Sequence, residues 1–190
     1  MRNVILITGL MGSGKSAVAN ILRQRGYEVL NMDKIAKDAI ANELNAKFCS
    51  FFGNDKFPKD VYFNPEYKAE REAFEGVLDN YLSARILHLL TYVEPDNKKP
   101  LYIEVPAMNY HRFKNFISKF ENQIAYALLV TTTPENRYKR LTERGMSITQ
   151  ILERLELQSN DIPALVHEVV NNGTLAELEE RLTSMGYYGA

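Results

Sequence analysis

Residues 9–16 read Gly9-Leu10-Met11-Gly12-Ser13-Gly14-Lys15-Ser16. They fill every fixed position of the pattern G-x-x-x-x-G-K-[ST]. The chemistry explains the residue types. Glycines let main-chain N–H groups curl around phosphate oxygens with no Cβ in the way. A helix that starts at the end of the loop adds free N–H groups and the positive end of its dipole. Lys15 has the reach for β- and γ-phosphates, and the Ser16 hydroxyl can ligate Mg²⁺. Such a loop needs a strand before it and a helix after it, and both are expected. Residues 3–8 form a short apolar, β-branched run, as in a strand buried on both faces. Residues 15–25 carry Val18, Ile21 and Leu22 at helical spacing and meet a stop at Gly26. Residues 27–30 read as a second strand, which completes a βαβ unit of about thirty residues.

The rest of the chain keeps alternating. Residues 33–90 are helical in pattern, with a break near 53–65 that holds Gly53, Pro58 and Pro65. A polar loop follows at 94–100, then a strand at 101–105 that stops at Pro106. A short helix is expected at 112–120, a strand at 124–132, and a helix from Pro134 to about Arg144. Ser147-Ile148-Thr149-Gln150 and Thr174-Leu175-Ala176-Glu177 read as capping boxes. A short strand at 168–170 lies between those two helices, and the last helix ends at Gly186. This order predicts a three-layer α/β fold with a mostly parallel sheet.

Composition narrows the function classes. Over 190 residues, 45% are hydrophobic and 25% charged, which suits one globular core and excludes disorder throughout. A net charge of −1 argues against a protein that coats nucleic acid. The single cysteine, Cys49, cannot form an internal disulfide and reads as a buried small hydrophobe. No apolar run is long enough for a membrane span, and the opening run is too short for a signal peptide, so a cytoplasmic location is expected. His88, His111 and His167 show no metal spacing.

Three further groups of residues bear on chemistry. Asp33 follows the second strand, where ligands bind in open parallel sheets. It can serve as a general base for a hydroxyl or hold Mg²⁺ through water, or it can be the N-cap of a helix starting at Lys34. Arg137, Arg140 and Arg144 share a helix face, with Arg154 and Gln158 beyond. They suit a lid that neutralises transferring phosphates, or a solvated basic face paired with Glu135, Glu143 and Glu153. Asn171-Asn172-Gly173-Thr174 is either a turn with a cap or a contact for an adenine ring. The Asn-Lys-x-Asp motif of GTPases is absent, since residues 97–100 read Asn97-Lys98-Lys99-Pro100. No strand ends in Asp as in motor ATPases; the nearest, 101–105, carries Glu104. A small-molecule kinase is the expectation.

Taken in order, these segments resemble the dephospho-coenzyme A kinase family of P-loop nucleotide kinases. The likeness runs through residues 8–20, the Leu30-Asn31-Met32-Asp33-Lys34-Ile35-Ala36-Lys37 segment, Arg140-Leu141-Thr142-Glu143-Arg144 with Arg154-Leu155-Glu156-Leu157-Gln158, and Val169-Val170-Asn171-Asn172-Gly173. The resemblance implies a P-loop kinase fold with a core at about 1–33, 99–133 and 160–190, a helical substrate-binding insertion at about 34–98 and a lid at about 134–159. It implies transfer of the γ-phosphate of ATP to the ribose 3′-hydroxyl of dephospho-coenzyme A, with ATP and Mg²⁺ as cofactors. Asp33, Lys15 and Arg140 would be catalytic, and Ser16 would hold the metal. Gly9, Met11, Gly12, Ser13, Gly14, Lys15, Ser16, Ala17, Arg144, Asn171 and Gly173 would bind the nucleotide. A small-molecule partner is expected, with no nucleic acid or membrane, in a monomer or weak homo-oligomer.

The chain departs from the family's pattern on the acceptor side. Asn31 stands where the family has Asp, residues 104–110 lack the usual Leu pair and Glu, and Leu82-Ser83-Ala84-Arg85 replaces a His-Pro pair. The alternatives are a nucleoside or deoxynucleoside monophosphate kinase-like phosphotransferase, and a non-catalytic nucleotide-binding module.

Overall fold

All five residues of the first strand, β1 (Val4–Thr8), are buried. A strand sealed on both faces must be central, and this one is. The computed structural model describes residues 2–52, 65–93 and 98–186. Among these, the other strands are β2 (Val29–Asn31), β3 (Leu101–Glu104), β4 (Ile124–Thr131) and β5 (Val166–Val170). Their order is β2-β3-β1-β4-β5, and every neighbouring pair is parallel.

The two-residue repeat of β1 sorts the core into two layers. Val4 and Leu6 face one side, with Leu101, Ile103 and Ala127 of neighbouring strands. Against them pack α2 (Met32–Ala41), α3 (Asn45–Phe52), α4 (Lys68–His88) and α5 (Tyr110–Ile117). Ile5 and Ile7 face the other side, with Tyr102, Leu128, Val130 and Val169. That layer is covered by α1 (Lys15–Gln24) and α8 (Leu175–Ser184) through Val18, Ile21, Leu22, Leu178 and Leu182. Helices on both faces of a parallel sheet make the expected three-layer α/β architecture of the P-loop kinases. Two further helices, α6 (Pro134–Glu143) and α7 (Ile148–Leu155), lie between β4 and β5 in the chain.

Local signals account for most boundaries. Gly26 takes φ +82° directly after α1. Pro134 occupies the first turn of α6, and Thr133 caps it by accepting from the Asn136 N–H. Both capping boxes form, Ser147 with Gln150 and Thr174 with Glu177. Asn109 caps α5, which therefore begins two residues before the sequence suggests. The expected helical stretch after residue 33 divides at 42–44 into α2 and α3.

Some expectations need correction. β2 starts at Val29 rather than residue 27, because the Tyr27 N–H bonds back to the Leu22 carbonyl at the end of α1 at 3.1 Å. Cys49 is half-buried, with Sγ 3.6 Å from Asn45 Oδ1, instead of fully buried. α4 continues into a π-helical turn, Leu89–Val93. Residues 53–64 of the expected break, with Gly53 and Pro58, and 94–97 of the expected polar loop lie outside the described residues.

Candidate active site

Parallel strands deliver their carboxyl ends to one edge, and the loops after them meet there. The turn after β1 is shaped by glycines. Gly9 has φ +140°, and a Cβ on it would run into the Val130 carbonyl. Gly14 has φ +103°, and a Cβ there would run into the Asn171 amide. The loop is thus pressed against β4 on one side and the loop after β5 on the other.

Inside the turn, the Lys15 ammonium donates to the Gly9 carbonyl at 2.7 Å and the Leu10 carbonyl at 3.4 Å. Burial lowers its pKa from 10.5 to about 8, although Asp33 and Glu104 favour the charged form. The Ser16 hydroxyl donates to Glu104 Oε1 at 2.6 Å. Glu104 closes β3 and is only 4% exposed. Its other oxygen accepts from Asn31 Nδ2 at 2.7 Å and lies 3.9 Å from the Arg23 guanidinium.

The cap of α2 is Asn31, whose side chain accepts from the Lys34 N–H at 2.8 Å. This corrects the capping alternative for Asp33, which sits inside the first turn. Among the described residues no hydrogen bond holds the Asp33 carboxylate, and it borders the cavity in front of the loop. Desolvation within the cleft raises its pKa, Glu104 adds to the effect, and Lys15 opposes it.

α6 and α7 close over the loop. Arg140 donates to the Gly12 and Ser13 carbonyls at 3.3 and 3.0 Å, and to the Asn171 carbonyl at 3.0 Å. Asn171 is itself buried and donates Nδ2 to the Ser13 carbonyl at 2.9 Å. Gln158, just past α7, accepts from the Met11 N–H at 2.9 Å. Leu141 is buried as the inward anchor of α6.

One cavity of about 710 Å³ spreads from this loop to α2, α4 and α5. Of the residues singled out in the sequence, Met11, Gly12, Gly14, Lys15, Ser16, Ala17, Asp33, Arg140, Arg144, Asn171 and Gly173 line it, as do Arg154 and Gln158. Gly9, pressed on the Val130 carbonyl, and the buried Ser13 belong to the loop but do not line the cavity, and Arg137 packs its stem near Gly12 instead of reaching it. Glu104, which the sequence analysis named on its strand without a role, lines it too, as do Arg71 and Arg112, which it did not name. Glu104 had a visible signal, a carboxylate at the end of an otherwise apolar strand. Arg71 and Arg112 had none, because their place depends on how α4 and α5 pack.

The donors fit Mg²⁺ of the phosphate-bound kind. Among the described residues, no three His, Cys, Asp or Glu side chains gather into an all-protein cage. Mg²⁺ ordinarily takes one or two carboxylates and fills its shell with water and phosphate oxygens. The Ser16 hydroxyl and Glu104 carboxylate supply hard oxygens of that type beside the loop.

Comparison with known proteins gives the chain's relatives. A family model described as an AAA domain matches residues 5–161. Dephospho-CoA kinase of Thermus thermophilus is 29% identical across 195 aligned positions, covering 96% of this chain and 89% of that protein. The enzyme of that name from Dehalococcoides mccartyi is 24% identical, covering 89% and 88%. A solved Thermus thermophilus structure superposes with TM-score 0.72 at 26% identity, covering 100% of this chain and 98% of that one. Dephospho-CoA kinase from Campylobacter jejuni shares the fold, with TM-score 0.57 at 20% identity, covering 99% and 98%. Among the described residues, no helix is long and apolar enough to cross a membrane.

Proposed function

The chain belongs to the AAA-domain family of P-loop proteins, and from that premise we propose that it transfers the γ-phosphate of ATP to the ribose 3′-hydroxyl of dephospho-coenzyme A. The carrying observation is one cavity in which Lys15, Ser16, Glu104 and Asp33 meet, continued by a wall from α2, α4 and α5. The phosphate half is built by the loop after β1. The other half has room for an acceptor, with apolar Ile40, Leu78, Leu82 and Met108 and the cationic Arg71 and Arg112. The names of the relatives favour dephospho-coenzyme A over other acceptors.

Catalysis in this reading is mostly positioning and charge stabilisation. Main-chain N–H groups of the loop and the start of α1 hold phosphate oxygens. Lys15 exchanges its carbonyl partners for the β- and γ-phosphates. Ser16 and Glu104 would hold Mg²⁺, which would neutralise charge on the phosphates. Asp33 accepts the proton of the acceptor hydroxyl as its oxygen bonds to phosphorus and the bond to the β-phosphate oxygen breaks. A placed base of this type contributes about 10²–10⁴-fold in rate. Arg140, Arg144 and Arg154, carried by the lid-like pair α6 and α7, lower the cost of charge on the transferring group, and the pair keeps water out.

The test is an acceptor panel with Mg·ATP, reading ADP release and product mass. Dephospho-coenzyme A should gain one phosphate and outpace nucleoside and deoxynucleoside monophosphates by at least about 100-fold in kcat/KM, the scale of a specific pocket. Faster turnover of a monophosphate would replace this acceptor assignment. Nucleotide binding without transfer to any acceptor would replace the enzyme with a binding module.

A further inference from the structure

We propose that Asn31 is the positioning residue for Glu104, tying the start of α2 to the carboxylate that stands on Ser16. The proposal deepens, and rests on, the reading of this site as one for a Mg²⁺-bound nucleotide.

Asn31 and Glu104 are register partners at the ends of the adjacent strands β2 and β3. The Asn31 amide makes two bonds of opposite sense. Its Nδ2 donates to Glu104 Oε2 at 2.7 Å, and its Oδ1 accepts from the Lys34 N–H at 2.8 Å. The remaining carboxylate oxygen of Glu104 accepts from Ser16 at 2.6 Å. With a donor on each oxygen the carboxylate cannot swivel, and it is 4% exposed, so losing either donor leaves a buried acceptor short. A primary amide carries the donor and the acceptor this arrangement needs. Aspartate is as good a helix cap as asparagine, yet an ionised Asp at position 31 offers Glu104 no donor and sets two like charges together. These two strand ends therefore carry one carboxylate between them, on β3. Asn31 fixes its orientation and, through the same side chain, the start of the helix that bears Asp33.

Three variants separate this role from simple capping. Asn31→Ser keeps a good cap but has a side chain too short to bridge to Glu104. Asn31→Asp keeps the cap and removes the donor. Asn31→Asp with Glu104→Gln restores a bond with its direction reversed. Melting is measured in EDTA without nucleotide, and ADP affinity by calorimetry with and without Mg²⁺. Asn31→Asp should melt about 3 °C or more below the parent, and the double variant should recover at least half of that loss. In Asn31→Ser, the gain in ADP affinity that Mg²⁺ brings should fall about tenfold, while metal-free affinity stays within about twofold, as for a lost bond to a charged group. Unchanged melting of Asn31→Asp, no recovery in the double variant, or an unchanged Mg²⁺ gain in Asn31→Ser would each overturn the proposal. The melting series needs no nucleotide, so it decides the contact even if the parent protein bound none. That result would sink the functional reading alone.

Discussion

At the scale of single residues, the proposed function makes Lys15 the group on which nucleotide affinity should turn. Burial has brought its pKa down to about 8, so it is largely charged at neutral pH and loses its proton as pH rises through that value. Affinity for ATP should therefore weaken on the alkaline side of about 8, read as Kd by calorimetry from pH 6.5 to 9.5. Lys15→Ala should remove that bend, lower turnover by at least about 100-fold and leave a cooperative melt. The sign for stability is the reverse. A lysine whose folded pKa is depressed is a cost that is fully present below about 8 and is relieved as pH climbs toward the unfolded value of 10.5. Asp33 is shifted upward, so the acid limb of kcat/KM should sit above the ordinary carboxylate range, and Asp33→Asn should abolish that limb along with most of the rate. Lys15 and Ser16 were legible because their loop is contiguous and its chemistry local. Glu104 showed as a carboxylate at the end of an apolar strand, but its pairing with Asn31 did not, since the two meet only through the register of β2 on β3. The sequence reading weighed Asp33 as a cap, and Asn31 two residues earlier has taken that task.

At the scale of elements, the loop after β1 and the α6–α7 pair behave as one assembly. Arg140 binds the loop's carbonyls and Gln158 binds its Met11 N–H, so the two helices are tied at both ends of the pair. The turn between α6 and α7 is largely exposed and holds Gly145, which has φ +82°. Arg140→Ala with Gln158→Ala should loosen the pair. Limited proteolysis should then cut near residues 144–147 sooner than in the parent, and ATP should protect the parent more than the variant. The helices themselves were readable from Pro134 and from the capping box at Ser147 and Gln150, which are short-range signals. What they close on was not readable, because the partners lie 127 and 147 residues away along the chain.

At the scale of the whole molecule, the question is how α4 is held against the sheet domain. Arg112 on α5 supplies much of the joint. Its Nε and one terminal nitrogen bind the Asp79 carboxylate at 2.8 and 2.9 Å, and the other binds Glu75 at 2.7 Å. Asp79 is buried, so removing the guanidinium strands a charge, at a cost of about 3 kcal/mol. Arg112→Ala should lower the melting temperature by several degrees and raise KM for the acceptor more than KM for ATP, because the joint flanks the cavity's far half. The alternation of strands and helices made the three-layer plan legible. This joint was not, because four-residue spacing on α4 shows which carboxylates share a face but not which cation they meet.

The cations of the loop do not stand bare. The Lys15 ammonium and the Arg140 guanidinium rest on main-chain carbonyls of the very turn they serve. Loading a nucleotide is then an exchange of dipolar company for anionic company, with little rebuilding.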